Sequence, residues 1–298
     1  MASMRDIKRR KGSIQSTQQI TKAMKLVSTV KLQKAKTKAE QSKPYFDTMY
    51  HTVQSILGMC DNVRHPYLDG GSSPKKAVIV ITSNRGLAGG YNSNITKLVT
   101  QGDFSKEDTL IYAVGKKGRD TLARHGYTIV EDYSEVMEEP SYADAIRIGR
   151  QVLTAFGQGE IGEIYLAYTI FKNTVVHIPV MTKLLPVDTE NTGNPKGEAQ
   201  EGSVLSGEKK EPEIPMNFEM EEAEALELLI PKYITSMIYG GLLEASASEN
   251  GARMQAMDSA TSNADEMIEE LTLLYNQARQ SAITQELTEI IAGANAIS

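Results

Sequence analysis

Residue types able to do chemistry are few and dispersed in this 298-residue sequence. The four histidines, His51, His65, His125 and His177, stand far apart, none with a second ligand at the spacing a metal site requires. Ser83 and Ser93 flank a glycine-rich stretch, but no G-x-S-x-G elbow surrounds either. That stretch, RGLAGGYN from Arg85 to Asn92, follows an apolar run and would suit phosphate binding. It lacks both the lysine of a Walker loop and the G-x-G-x-x-G spacing of a dinucleotide site. Its glycines suit a tight strand-to-helix turn instead. The residues therefore define no catalytic, metal or cofactor site. Cys60, the single cysteine, rules out an internal disulfide framework and reads as a small buried apolar residue.

Charge carries more information. The net charge of −6 hides two opposed ends. Between Met1 and Glu40 eleven Lys and Arg face only Asp6 and Glu40, a net +9. From Asn217 onward fourteen acids face Lys232, Arg253 and Arg279, a net −11. Such ends meet each other or an oppositely charged partner. A basic segment of this kind also admits a nucleic-acid binder, although no aromatic residue interleaves with its lysines. A coiled-coil scaffold is a further alternative.

The elements that must position these charges fall into zones. Hydrophobic residues make up 40% of the chain and aromatic residues only 6%, with no Trp, which suits helices packed edge on edge. No apolar run approaches the roughly 20 residues of a membrane-spanning helix, and no signal peptide follows the basic start. From about Ser3 to Cys60 the pattern is one long helix, with Ile20, Ala23, Val27 and Val30 as the expected coiled-coil seam. Phe46, Met49, Val53, Ile56 and Leu57 continue its apolar face, and Pro44 marks a kink or a break. From Lys75 to Val187 the period changes. AVIVIT, TLIYAVG, YTIVEDY, EIYLAYTIF and VVHIPVMTKLLPV read as strands, the last two as a hairpin turning at Lys172 to Thr174, with helices between the others. Strands alternating with helices give an α/β layered domain with a largely parallel sheet. The composition of Asp188 to Pro215 is that of a flexible acidic insertion. Helical period returns from about Phe218, through Leu226, Ile230, Tyr233, Met237 and Leu242 to Met267, Leu271, Leu274, Ile283, Leu287 and Ile290. If continuous, that helix is roughly 110 Å long. Small residues from Ala252 to Ala264 let another helix approach it closely. Paired ends of one chain must run antiparallel, as a two-helix shaft carrying the α/β domain.

Four blocks are recognisable: ITKAMKLVSTVKLQKAK (Ile20 to Lys36), TSNRGLAGGYN (Thr82 to Asn92), SENGARMQAMDSATSNA (Ser248 to Ala264) and LYNQARQSAITQELTEIIAGANA (Leu274 to Ala296). In order and separation they resemble the hallmark blocks of the γ subunits of bacterial F-type ATP synthases, over nearly the whole chain. The resemblance implies an α/β plus coiled-coil fold. A long antiparallel coiled coil would form from residues 1–60 and 217–298, with a Rossmann-like α/β domain at 75–187 and the acidic insertion at 188–215. It implies the central rotor shaft of the synthase, itself no enzyme. Its partners would be three α and three β subunits, the ε subunit and the membrane c-ring, with no nucleic acid and no cofactor. The location implied is the cytoplasmic side of a bacterial membrane, peripheral through the complex. Lys22, Met24 and Lys25 match the family motif that meets an acidic loop of β. Arg85, Arg253, Arg279, Gln280 and Thr284 match positions that contact the α/β ring. The sequence departs from the family pattern at Asn84 and Ala88, where Asp and Cys are frequent, which implies changed local polarity. It also lacks the cysteine pair of thiol-regulated relatives. The length and charge of the acidic insertion suggest a brake on wasteful ATP hydrolysis through β or ε, which deletion of the segment would test.

Overall fold

The computed structural model describes residues 4–57, 65–187 and 222–297. Cys60 and the 188–215 insertion lie outside the described residues. Two helices dominate: α1, Met4–Leu57, and α6, Glu222–Ile297. Pro44 sits inside α1 without ending it, so no break between two helices falls there. The Thr48 hydroxyl donates to the Pro44 carbonyl at 2.9 Å, the back-bonding a threonine makes inside a helix. Between the long helices lie α2 (Pro66–Asp69), β1 (Lys76–Ile81), α3 (Tyr91–Thr100), β2 (Thr109–Val114) and α4 (Lys116–Arg124). They are followed by β3 (Thr128–Asp132), a 3-10 turn (Ser134–Glu138), α5 (Tyr142–Gly157), β4 (Glu163–Phe171) and β5 (His177–Leu185). The chain forms two compact units, Ser28–Arg253 and the pair Met1–Val27 with Met254–Ser298.

The larger unit is built on one five-stranded sheet, order β3-β2-β1-β4-β5, parallel except for the β4–β5 hairpin. The hairpin turn is wider than the sequence suggests. The Asn173 side chain accepts the N–H groups of Val175 and Val176 at 2.9 and 2.7 Å and delays β5 to His177. Strand β1 is a run of apolar residues because both faces are covered. Ala77, Ile79 and Ile81 face a core shared with α1, α5 and α6, while Val78 and Val80 face α3 and α4. Helix α6 contributes most to that first core. From Tyr233 to Gly251 it is buried on nearly every side, and Leu226, Ile230, Ile234, Ile238 and Leu242 are at 0–1% exposure. Gly241 allows it to approach the sheet: a Cβ there would stand 3.0 Å from the Leu166 side chain and 3.5 Å from that of Ile81.

In the smaller unit the two helices run antiparallel. Gln18 bonds to Asp265, the Thr21 and Thr261 hydroxyls lie 2.8 Å apart, and Lys25 Nζ reaches Asp258 at 2.5 Å. Numbers rise along one helix as they fall along the other. On α6 the buried or half-buried residues include Met254, Met257, Thr261, Ala264, Ile268, Leu271, Tyr275 and Ala278, a row in steps of three and four. On α1 they include Ile7, Lys11, Ile14, Gln18, Thr21 and Lys25, with the same steps.

This corrects the expected seam. Ile20, Val27 and Val30 are 60%, 58% and 70% exposed and Ala23 is exposed too, whereas Thr21, Ser28, Leu32, Ala35 and Ala39 are buried. The true seam is displaced by about one residue, roughly 100° around the helix. The reason is chemical. Close helix approach here is held by hydroxyls, amides, small residues and ion pairs, so an apolar stripe is the wrong guide to it. Met267 and Leu274, expected within the α6 stripe, are likewise 50% and 43% exposed. Truncation separates the two stripes. Leu32→Ala will cost about 3 kcal/mol of unfolding free energy, and Val30→Ser no more than about 0.5 kcal/mol, by chemical denaturation of the full chain. The reverse ranking would restore the exposed stripe as the seam.

Candidate functional site

A doubly wound sheet offers a ligand crevice at the carboxyl ends of its strands, where strand order reverses. Here that point lies between β1 and β4, and α6 fills it. Gly241 rests against Ile81, Leu166 and Tyr168, and the Ser248 hydroxyl donates to the Thr169 carbonyl at 3.1 Å. The Tyr91 hydroxyl donates to the Ala245 carbonyl at 3.2 Å.

The first N–H groups of α4, which could cradle an anion, are also taken. Lys116 N–H donates to Asn84 Oδ1 at 3.1 Å, Lys117 N–H to the Ser83 carbonyl at 3.0 Å and Gly118 N–H to Thr82 Oγ1 at 2.9 Å. Gly115 makes this crossing possible. Its φ is +111°, and a Cβ there would fall 2.0 Å from the Thr82 carbonyl oxygen. Gly115 is therefore structural at the turn from β2 into α4. Asn84 uses both ends of its amide, since Nδ2 also donates to the Ser134 carbonyl at 2.7 Å. An ionised aspartate has no donor for that carbonyl. Ala88 packs at 2% exposure in the second core.

The same loop presents Arg85. The Ser83 hydroxyl donates to the Arg85 carbonyl at 2.5 Å and Asn92 Oδ1 accepts the Ser83 N–H at 2.9 Å, fixing the backbone while the arginine side chain stays exposed. Arg253, on α6 of the same unit, is only 12% exposed in its side chain. Its Nη2 lies 2.7 Å from Glu249 Oε1, with Glu249 also at 12%. That approach is an ion pair by distance but leaves Nη2 without an aligned hydrogen bond. Burial pushes the Glu249 carboxyl up from its ordinary range, against the opposing pull of Arg253, Lys31 and Arg85. The Tyr91 phenol is pushed well up by its own burial and then by the Glu249 charge. Arg253 thus pairs with this carboxylate, and Lys31 and Arg85 act on it only through their charge.

Glu249 was not singled out by the sequence reasoning. Its signal was the i,i+4 spacing of an acid before a base on a helix, within the block already recognised.

The remaining matched residues lie in the smaller unit. Lys22 is exposed, Met24 half-buried, and Lys25 engaged with Asp258, the two side chains at 39% and 49% exposure. Extending the antiparallel register places Met4 opposite Arg279. Arg279, Gln280 and Thr284 are exposed, as is every residue from 279 to 295, including Ile283, Leu287, Ile290 and Ile291 at 46–62%. Among the described residues no group of His, Cys, Asp or Glu could hold a metal ion, and no helix is long and apolar enough to cross a membrane.

A closed sheet crevice, cations gathered on the helices and exposed apolar rows define a chain whose chemistry is contact with other chains. Comparisons with known proteins agree. The family model described as ATP synthase matches residues 3–297. The ATP synthase gamma chain of Lachnoclostridium phytofermentans is 66% identical over 298 residues, all of both chains. The sodium-ion-specific ATP synthase gamma chain of Acetobacterium woodii is 41% identical, with 99% of each chain covered. Among solved structures, a chain of the Euglena gracilis mitochondrial ATP synthase, in an assembly of OSCP, F1 and c-ring, shares the fold at TM-score 0.68 and 19% identity. It covers 99% of this chain and 94% of its own. The protein belongs to the ATP synthase gamma chain family.

The raised Glu249 carboxyl has a measurable sign. A carboxyl raised in the folded state contributes stability below its unfolded value and loses it as pH rises through the folded value. Unfolding of the full chain and of Glu249→Gln, compared from about pH 4.5 upward, will therefore diverge in the variant's favour as pH rises. A constant difference would show that the carboxyl is not raised.

Proposed function

We propose that this chain is the central rotor shaft of a bacterial F-type ATP synthase, carrying torque between a membrane c-ring and a catalytic ring of three α and three β subunits. It catalyses nothing itself, and ATP chemistry belongs to β. The observation that carries the reading is the exposed apolar surface of the smaller unit. Ile20, Leu26 and Val27 on α1 are 58–62% exposed, and the last turns of α6 carry Ile283, Leu287, Ile290 and Ile291 beyond the reach of α1 in this register. Rows of this kind call for a surrounding partner.

In this reading Lys22, Met24 and Lys25 face an acidic loop of β, and Arg85, Arg253, Arg279, Gln280 and Thr284 contact the ring. The α/β domain meets ε and the c-ring on the cytoplasmic side of the membrane. One asymmetric shaft within a three-fold ring faces three identical sites differently. Converting a site from 1:99 to 99:1 between two states takes about 5.5 kcal/mol of differential interaction, while an exposed ion pair supplies about 0–1 kcal/mol. Several contacts must act together, which a spread of matched residues over both units allows.

The nucleic-acid alternative is disfavoured by where the lysines go. Lys25 pairs with Asp258, and Lys34 and Lys38 converge on Glu139 at 2.7 and 3.4 Å, the Lys34 contact first holding that carboxyl below its ordinary range.

Reconstitution with the α and β subunits of the source will yield one copy of this chain per three αβ pairs and raise ATP turnover above that of the ring alone. Arg253→Gln in that complex will lower turnover about tenfold, equivalent to ~1.4 kcal/mol. A folded chain that neither joins the ring nor alters its turnover would remove the shaft reading.

A further inference from the structure

We propose that His177 is an acid-released latch. Uncharged, its ring lies against Gly251 and fastens α6 to the β4–β5 hairpin; protonated, it must leave that seat and slacken the helix. Each contact involved lies within the larger unit, so the inference holds for the free chain and goes beyond the shaft reading.

The seat is built from three elements. Phe171 and His177 face each other across the hairpin, with ring centroids 5.8 Å apart. Their fit to α6 leaves no space for a side chain. A Cβ at Gly251 would stand 2.8 Å from His177 Cε1, 3.2 Å from Phe171 Cε2 and 3.4 Å from His177 Nε2. Gly251 is the last residue of the buried stretch of α6, so this contact decides how firmly the helix is held there. From α1, Lys36 Nζ lies over the Phe171 ring, 4.9 Å from its centroid, which ties the other long helix to the same hairpin. The imidazole enters this seat without polar partners. Both its nitrogens are closed off from solvent, and neither has an aligned hydrogen bond among the described residues. That costs free energy for a neutral ring and far more for imidazolium, which carries a donor on each nitrogen. No countercharge is at hand. On α6, Glu249 and Arg253 flank Gly251 and are paired with each other at 2.7 Å. The charges on the other two elements, Lys36 of α1 and the exposed Lys172 of the hairpin turn, are cations. Burial accordingly holds the imidazole below its ordinary value of 6.5, against a weaker upward pull from the Thr174 backbone. A histidine held low in the folded state contributes its full stability above the ordinary value and loses it as pH falls through the folded one. The residue as a whole is only half-buried, and the adjoining Val175 and Val176 are 68% and 40% exposed, so a charged ring has a short way to water.

The test is amide hydrogen exchange of the full chain at about pH 7.5 and about pH 5.5, each rate divided by that of the unstructured chain at the same pH. In the wild type, amides of β5 and of α6 around Gly251 will lose about fivefold of their protection at the lower pH, while those of β1 keep theirs. Coupling to one proton sets a ceiling of about tenfold for each pH unit. His177→Phe, which fills the seat with a ring that cannot titrate, will show the same protection at both pH values. Unchanged protection in the wild type overturns the inference, and so does a loss that His177→Phe retains, since another group is then responsible. A loss shared equally by β1 reports unfolding of the whole unit and overturns it as well. Should His177→Phe not fold, His177→Gln decides in its place: constant protection supports the latch, and a wild-type loss refutes it. None of these outcomes bears on the shaft reading, which reconstitution tests separately.

Discussion

The rest of the larger unit depends on the passage of α6 across the carboxyl end of the parallel sheet. A helix laid there must be apolar on almost every side and must surrender a side chain where it crosses the strands, and Gly241 does so against Leu166 and Ile81. The consequences are linked. The crevice in which such sheets hold nucleotides is filled by protein, the α4 N–H groups are consumed by Thr82, Ser83 and Asn84, and the polar end of the buried stretch delivers Glu249 and Arg253 beside the Arg85 loop. A binding fold has become a mounting for helices.

Much of this was legible in the residues. The switch from helical period to short apolar runs placed the strands of the sheet, most plainly β1, β2 and β4, which are buried on both faces. The glycine-rich stretch after β1 was read as a strand-to-helix turn, and it does lead from β1 into α3, with Gly89 at φ +55°. The seam of α1 was not legible. Apolar periodicity is a signal of burial within one chain, and it misleads when a helix carries two interfaces. Ile20, Val27 and Val30 satisfy that signal while remaining exposed, and Thr21 and Ser28 fail it while buried.

Glu249 escaped for a different reason. Lys31 and Arg85 stand 218 and 164 residues earlier in the chain, and only folding brings their charges to bear on it. Spacing along a helix reveals the partner four residues on, not the company assembled from two other elements. The departure at Asn84 shows the same limit. Its meaning lies in the Ser134 carbonyl, fifty positions downstream, which accepts from the Asn84 amide.

The three-and-four spacing of buried positions in the smaller unit, from Ile7 to Lys25 on one helix and from Met254 to Ala278 on the other, has a mechanical side. A repeat of seven residues falls short of two full turns of an α-helix, and helices that keep it coil around each other with a left hand. A left-handed rope is not symmetric under twist. Turned in one sense its strands wind closer and the rope stiffens; turned in the other they part and it softens. Any torque borne by this pair of helices therefore meets a different compliance in each direction.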